Sequence, residues 1–219
     1  MTKIVLLDVD GTLIDSNDAH AQAWVDAGQE LGYEIEFDRV RWLVGMGGDK
    51  VLPELTGLKQ ESDEGKKLLD RRGEIFRETY LPKLSAFPGA HDLLVRMCDD
   101  GFQLVVATSA SNKDLEALLK QARLDDVIEI ATTKDDAAES KPAPDIVEAA
   151  LKKADAKPGD AIMLGDTPYD VGAATRAGVE IVAVRCGGWK DDELKGAVAI
   201  YNDLIDLLGH YSASPFGKK

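Results

Sequence analysis

Asp8 and Asp10 stand two residues apart, directly behind the apolar run Ile4-Val5-Leu6-Leu7. In extended backbone that spacing sends both carboxylates to one side, and Gly11-Thr12 follow as a turn. Two carboxylates at the end of a buried strand are unfavourable unless something positive joins them, and a hard cation with oxygen ligands is the simplest partner. A metal is implied. A second pair, Asp166 and Asp170, lies in Gly165-Asp166-Thr167-Pro168-Tyr169-Asp170 behind another apolar run. Thr108 and Ser109 put two hydroxyls at the end of a third run. Lys141 precedes Pro142 in an extended segment that opens a helix.

All four features fall at strand-to-helix junctions, so the elements that carry them matter. Ile4–Leu7 is a continuous apolar run ending in charge, the pattern of a strand buried on both faces of a parallel sheet. Similar runs cover Gln103–Thr108, Val127–Ala131, Ala161–Gly165 and Glu180–Val184. Helical spacing separates them: Leu93, Leu94 and Met97; Leu115, Leu118, Leu119 and Ala122; Ile146, Val147, Ala150 and Leu151. From about residue 86 onward helix and strand alternate, which predicts an α/β fold, a doubly wound Rossmann-like parallel sheet with ligands at the carboxyl ends of its strands. Residues 17–85 break the rhythm, with helical patterns (Trp24, Ala27, Leu31; Leu68, Leu69, Ile75, Phe76) but no buried strand. They read as a helical cap domain inserted after the first strand, leaving 1–16 and 86–219 as the core domain. The tail Gly209–Lys219 reads as frayed.

A chain of 219 residues with 44% hydrophobic content can bury one sizeable core with a smaller appendage. The net charge of −14, from 40 acidic and 26 basic residues, opposes nucleic acid and acidic membranes as partners. Cys98 and Cys186 form no CxxC pattern and read as buried thiols of a reduced, cytoplasmic protein. The N-terminal run is too short for a signal-peptide core, and no stretch is long and apolar enough to cross a membrane. A monomer or small homo-oligomer is expected.

The segments DVDGTL (8–13), ATSAS (107–111), SKPAPD (140–145) and GDTPYD (165–170) resemble, in order and spacing, the four motifs of the haloacid dehalogenase-like hydrolase superfamily. The resemblance spans the whole chain, and a helical cap after the first motif is a recognised arrangement there. It implies a Mg2+-dependent phosphomonoester hydrolase acting on a small phosphorylated metabolite through an aspartyl phosphate. By the same resemblance Asp8 is the nucleophile and a metal ligand, and Asp10 is the acid/base whose carbonyl reaches the metal. Asp166 binds magnesium, Asp170 supports the metal shell, Thr108 and Ser109 bind phosphate, and Lys141 bridges nucleophile and phosphate. A protonated Asp10 would need a raised pKa from nearby Asp8 and a dry site.

Blander readings stand beside these. Asp8–Gly11 does not fit an EF-hand, whose sixth loop position wants glycine where Leu13 sits. Thr108 and Ser109 can cap the next helix, and Asp170 can be a first-turn acid favoured by the helix dipole. Gly45–Lys50 lacks the Ser/Thr that follows a P-loop lysine; it resembles the substrate-specificity loop of capped members, which puts Gly47 and Lys50 beside substrate, with His20 near the hinge. A plain turn serves the loop equally well. Trp24, Trp42 and Trp189 read as packing residues. Asp10 disfavours dehalogenase and phosphonatase chemistry, and the loop lacks the arginine usual in sugar phosphomutases. A β-phosphoglucomutase-like mutase, a phosphonatase-like hydrolase and a non-catalytic magnesium or phosphate-binding module remain the alternatives.

Overall fold

The computed structural model describes residues 3–128 and 130–217. Six strands form one parallel sheet: β1 (Lys3–Leu7), β2 (Phe102–Ala107), β3 (Ile130–Thr132), β4 (Ala161–Gly165), β5 (Glu180–Val184) and β6 (Ala199–Tyr201), in the order β3-β2-β1-β4-β5-β6. Parallel strands need crossovers that cover both faces, which is why β1 is apolar throughout Ile4–Leu7. Val5, Leu7 and Val9 join one hydrophobic cluster, while Ile4 and Leu6 join the other. Helices α5 (Ala90–Asp99), α6 (Asn112–Ala122) and α9 (Leu204–Gly209) cover the first face. Helices α7 (Asp145–Lys153) and α8 (Pro168–Arg176) cover the second.

Between β1 and α5 lie only helices: α1 (Asn17–Leu31), α2 (Phe37–Arg41), α3 (Gly48–Thr56) and α4 (Asp63–Ile75), the last running into a π-helical turn at Phe76–Tyr80. The chain enters and leaves this segment side by side. Ile14 pairs with Ala86, the Asp15 amide donates to the Ser85 carbonyl at 3.2 Å and the Phe87 amide to the Leu13 carbonyl at 2.8 Å.

Four readings change. The third strand is shorter and later than Val127–Ala131, because Leu124–Val127 close a turn after α6; Glu129 lies outside the described residues. Strand β6, three half-buried residues at the sheet edge, carries too little apolar signal to be read from sequence. The tail is not frayed through Gly217, since Tyr211, Ser214 and Phe216 are buried, with Phe216 edge-on to Phe102 at 6.3 Å; Lys218 and Lys219 lie outside the described residues. The thiols also differ from expectation, Cys98 being exposed and Cys186 half-buried, with burial pushing the Cys186 thiol up to about 12.

Candidate active site

The strand order reverses direction at β1 and β4, and the crevice outside the carboxyl ends of such neighbours is where doubly wound sheets bind ligands. Asp8 follows β1 there, its amide donating to the Leu164 carbonyl of β4 at 3.0 Å. Asp166 follows β4, Thr108 follows β2, and Lys141 arrives from the loop before α7. All four are buried.

Lys141 Nζ lies 2.5 Å from Asp8 Oδ1 and 2.7 Å from Asp170 Oδ1. One carboxylate oxygen of each of Asp8, Asp166 and Asp170 falls within 4.8 Å of the others. Thr12, which sequence reasoning treated only as part of a turn, touches Asp166 Oδ1 at 2.6 Å and Asp8 Oδ2 at 3.1 Å. Its single hydroxyl proton can serve one of these at a time. Burial disfavours the lysine's charge, yet Asp170 and Asp8 outweigh burial and hold its pKa high. Against three carboxylates one ammonium is too little. Burial, then the charge of Asp170, raises Asp8 to about 7, and burial with Asp8 and Asp170 raises Asp166. Such an acidic, all-oxygen donor set fits a hard divalent cation.

The glycines fit as well. Gly11 has φ +82°, and a Cβ there would collide with Asn17 and the Asp166 carboxylate; a Cβ on Gly187 would also strike that carboxylate. Asn17 Oδ1 is buried without a hydrogen-bond partner and offers one more oxygen.

Asp170 plays two parts. Its Oδ2 accepts from the Thr167 amide at 3.0 Å and the Thr167 hydroxyl at 2.7 Å, closing a capping box at the start of α8, while Oδ1 faces Lys141. The first-turn acid reading and the site reading therefore both describe it. Ser111, rather than Thr108 or Ser109, caps α6, accepting from the Asp114 amide at 3.2 Å. Thr108 accepts from the Ala110 amide at 3.1 Å, and the Ser109 hydroxyl donates to the Gly45 carbonyl at 3.3 Å.

Asp10 points away from Asp8's ammonium partner and toward α1. Its Oδ1 accepts from the Ser16 hydroxyl at 2.5 Å and lies 2.8 Å from His20 Nε2. Arg72 Nη2 approaches His20 Nδ1 at 2.5 Å. Arginine can only donate, so Nδ1 presents its lone pair and the ring proton sits on Nε2, aimed at Asp10. Phe76 stacks on the imidazole at 4.0 Å. Burial works to raise the Asp10 carboxyl, but His20, Ser16 and Arg72 together hold it below the usual range. The raised pKa that a protonated Asp10 would need is not found in the free protein: the partners of Asp10 on α1 and α4 favour its ionised form.

Asp8, Asp10, Arg72, Thr108 and Ser109 line a cavity of about 260 Å³ between the sheet edge and the helical segment. His20 and Gly47 border it. The Gly47 amide donates to Ser140 Oγ at 3.0 Å, and a Cβ on Gly47 would lie 2.6 Å from the Ser140 Cβ, so a side chain there would push the loop off the segment carrying Lys141. Lys50 does not border the cavity. It is on α3, and its ammonium pairs with Glu139 at 3.0 Å near the surface, so it is removed from the candidate substrate contacts. Trp24 is core, but Trp42 is 46% exposed and meets Trp189 edge-on at 4.7 Å across the seam between α2 and the sheet domain, where Tyr169 donates to the Trp42 carbonyl at 2.7 Å.

The family model for haloacid dehalogenase-like hydrolases matches residues 5–184. A curated relative, "Probable phosphatase IndB" of Dickeya dadantii, is 30% identical over 200 residues, covering 90% of this chain and 87% of its own. The crystal structure of a hydrolase from Pseudomonas syringae superposes with a TM-score of 0.89 at 29% identity, over 97% of this chain and 99% of that one. The structure of CbbY from Rhodobacter sphaeroides in complex with phosphate superposes at 0.81 with 25% identity, over 94% and 96%. Among the described residues no helix is long and apolar enough to cross a membrane.

Proposed function

The chain belongs to the haloacid dehalogenase-like hydrolases, and from that membership we propose that it is a magnesium-dependent phosphatase that moves the phosphoryl group of a small phosphomonoester onto Asp8 and then to water. The observation that carries the reading is the buried trio Asp8, Asp166 and Asp170 balanced by Lys141 alone. In this reading Asp8 and Asp166 hold the ion, the Asp10 carbonyl completes its protein ligands, and Asp170 supports the shell. Bound there, magnesium supplies positive charge against a carboxylate-on-phosphate repulsion of about 4 kcal/mol per charge pair at ~4 Å and an effective dielectric of ~20.

Lys141 holds Asp8 by one oxygen and leaves the other to attack phosphorus, forming the acyl phosphate as the ester P–O bond breaks. The Thr108 and Ser109 hydroxyls orient the phosphoryl oxygens. With substrate bound, Asp10 carries the proton that the leaving alkoxide takes up, and the carboxylate left behind, held by His20 and Ser16, draws a proton from the water that cleaves the acyl phosphate. Residues 17–85 act as a cap that keeps bulk water out, with 1–16 and 86–219 as the catalytic domain. The cavity volume favours a compact metabolite.

The test is phosphate release from a panel of small phosphomonoesters, with magnesium and with chelator. Release is expected to need magnesium and to fall ~10⁴-fold or more in Asp8→Asn. Undiminished hydrolysis by Asp8→Asn would overturn the aspartyl-phosphate route, and silence of the wild type across the panel would overturn the phosphatase.

A further inference from the structure

The cations that border the cavity differ in how they are satisfied. Arg77 is paired with Asp114 at 2.9 Å, and Lys134 is exposed at the rim. Arg72 is half-buried and, among the described residues, has no carboxylate within ion-pair distance. Its guanidinium carbon lies over the rings of Trp24 and Phe76, at 5.8 and 5.4 Å, and its Nε is buried without a hydrogen-bond partner. Among the described residues its one hydrogen bond is to His20, whose Nδ1 offers a lone pair and no charge. Burial lowers the arginine's pKa while the more distant charges of Asp114 and Asp10 oppose it, and a guanidinium stays protonated in proteins. A charge so placed is balanced only at a distance, by Asp114 and Asp10, and gains from an anion that joins it directly; the cavity it borders is where one can enter.

Position gives that anion its identity. Along the cavity wall Asp10 is followed by His20 and then Arg72, each in hydrogen-bond contact with the next. Asp10 serves the ester oxygen, so Arg72 stands farther out on the leaving-group side. We propose that Arg72 is the receptor for a second acidic group, a carboxylate or a second phosphate, on the alcohol part of the substrate. The inference rests on the phosphatase reading above and narrows its substrate class to compact phosphomonoesters with two acidic groups separated by a short spacer. The planar fork of the guanidinium suits either acid, and its two ring neighbours hold it in place.

Two matched pairs separate the acids: 2-phosphoglycolate against 2-hydroxyethyl phosphate, and fructose 1,6-bisphosphate against fructose 6-phosphate. Wild type with magnesium is expected to favour the acidic member of at least one pair by about tenfold or more in kcat/KM, the scale of a hydrogen bond to a charged group. The pair that responds names the acid. Arg72→Met, which keeps an apolar stem against Trp24 and Phe76, should bring that ratio close to one, and Arg72→Lys should retain most of it. The ratio matters because Arg72 also holds His20, so both members of a pair lose rate if Asp10 is misplaced. Equal losses in Arg72→Met, or no preference in wild type, would overturn the proposal. If Arg72→Met does not fold, Arg72→Gln is read in its place. The same pairs are titrated calorimetrically into Asp8→Asn and into Asp8→Asn/Arg72→Met. If nothing turns over, an Arg72-dependent preference in binding upholds the receptor while the phosphatase reading falls, and its absence overturns the receptor as well.

Discussion

Lys141 is the residue on which the buried charges converge. It is fully buried, and its ammonium is shared by Asp8 and Asp170. Removing one partner from such a cluster leaves carboxylates in low dielectric with nothing to balance them, a loss of about 3–5 kcal/mol when a buried pair is broken this way. Lys141→Met is therefore expected to lower unfolding free energy by that amount in chelator, and by less in excess magnesium, as chemical denaturation would measure. An unchanged midpoint in chelator would mean that the cluster is protonated in the resting protein and that Lys141 carries little of its charge. Asp10 and Asp8 titrate in opposite directions although two residues apart, because one faces His20 and Ser16 and the other faces carboxylates.

At the scale of elements, α4 shows how a helix face can be both core and site. Ser62 caps it, accepting from the Gly65 amide at 3.0 Å, and Leu68, Arg72, Ile75 and Phe76 follow at helical spacing on one face. An arginine on an apolar stripe was the signal by which Arg72 could have been found in the sequence. The seam between the helical segment and the sheet domain is made by short polar and aromatic contacts: Tyr169 to the Trp42 carbonyl, Trp42 against Trp189, and Arg41 Nη2 to the Gly187 carbonyl at 3.0 Å. Tyr169→Phe removes one of these hydrogen bonds and little packing. It is expected to cost about 0.5–1.5 kcal/mol and to shift the tryptophan emission of Trp42 and Trp189 toward that of exposed indole. Wild-type emission would show that the seam is held without it.

The whole molecule couples metal, protons and stability. Asp8, near 7, and Asp166 both have carboxyl groups raised above their unfolded range, so between about pH 4 and 7 the metal-free fold binds more protons than the unfolded chain. Their contribution to stability is full at the acid end of that window and is lost as pH rises through it. Cation binding needs the ionised carboxylates and stabilises the fold that holds it. The rise in melting temperature on adding magnesium is therefore expected to be larger at pH 8 than at pH 5.5, by scanning fluorimetry against a chelator control. An equal rise at both pH values would dissociate the metal from this trio.

Local pattern alone determined the four central strands of the parallel sheet, β2, β1, β4 and β5, since strands buried on both faces are apolar nearly throughout and need no partner to be recognised. It also placed Asp8, Thr108 and Asp166 at the ends of strands and Lys141 ahead of a helix, because such junctions are marked by abrupt changes from apolar to polar residues and by proline. Tertiary structure decided what those groups face. No local rule distinguishes Thr12 in a turn from Thr12 between two carboxylates, or Lys50 on a solvent seam from a lysine in a cavity. The ionised state of Asp10, the turn of His20 toward it and the cavity-side charge of Arg72 arise where α1 and α4 meet over β1. Such contacts join residues distant in sequence, and charge and burial there depend on the sum of all neighbours rather than on any one spacing.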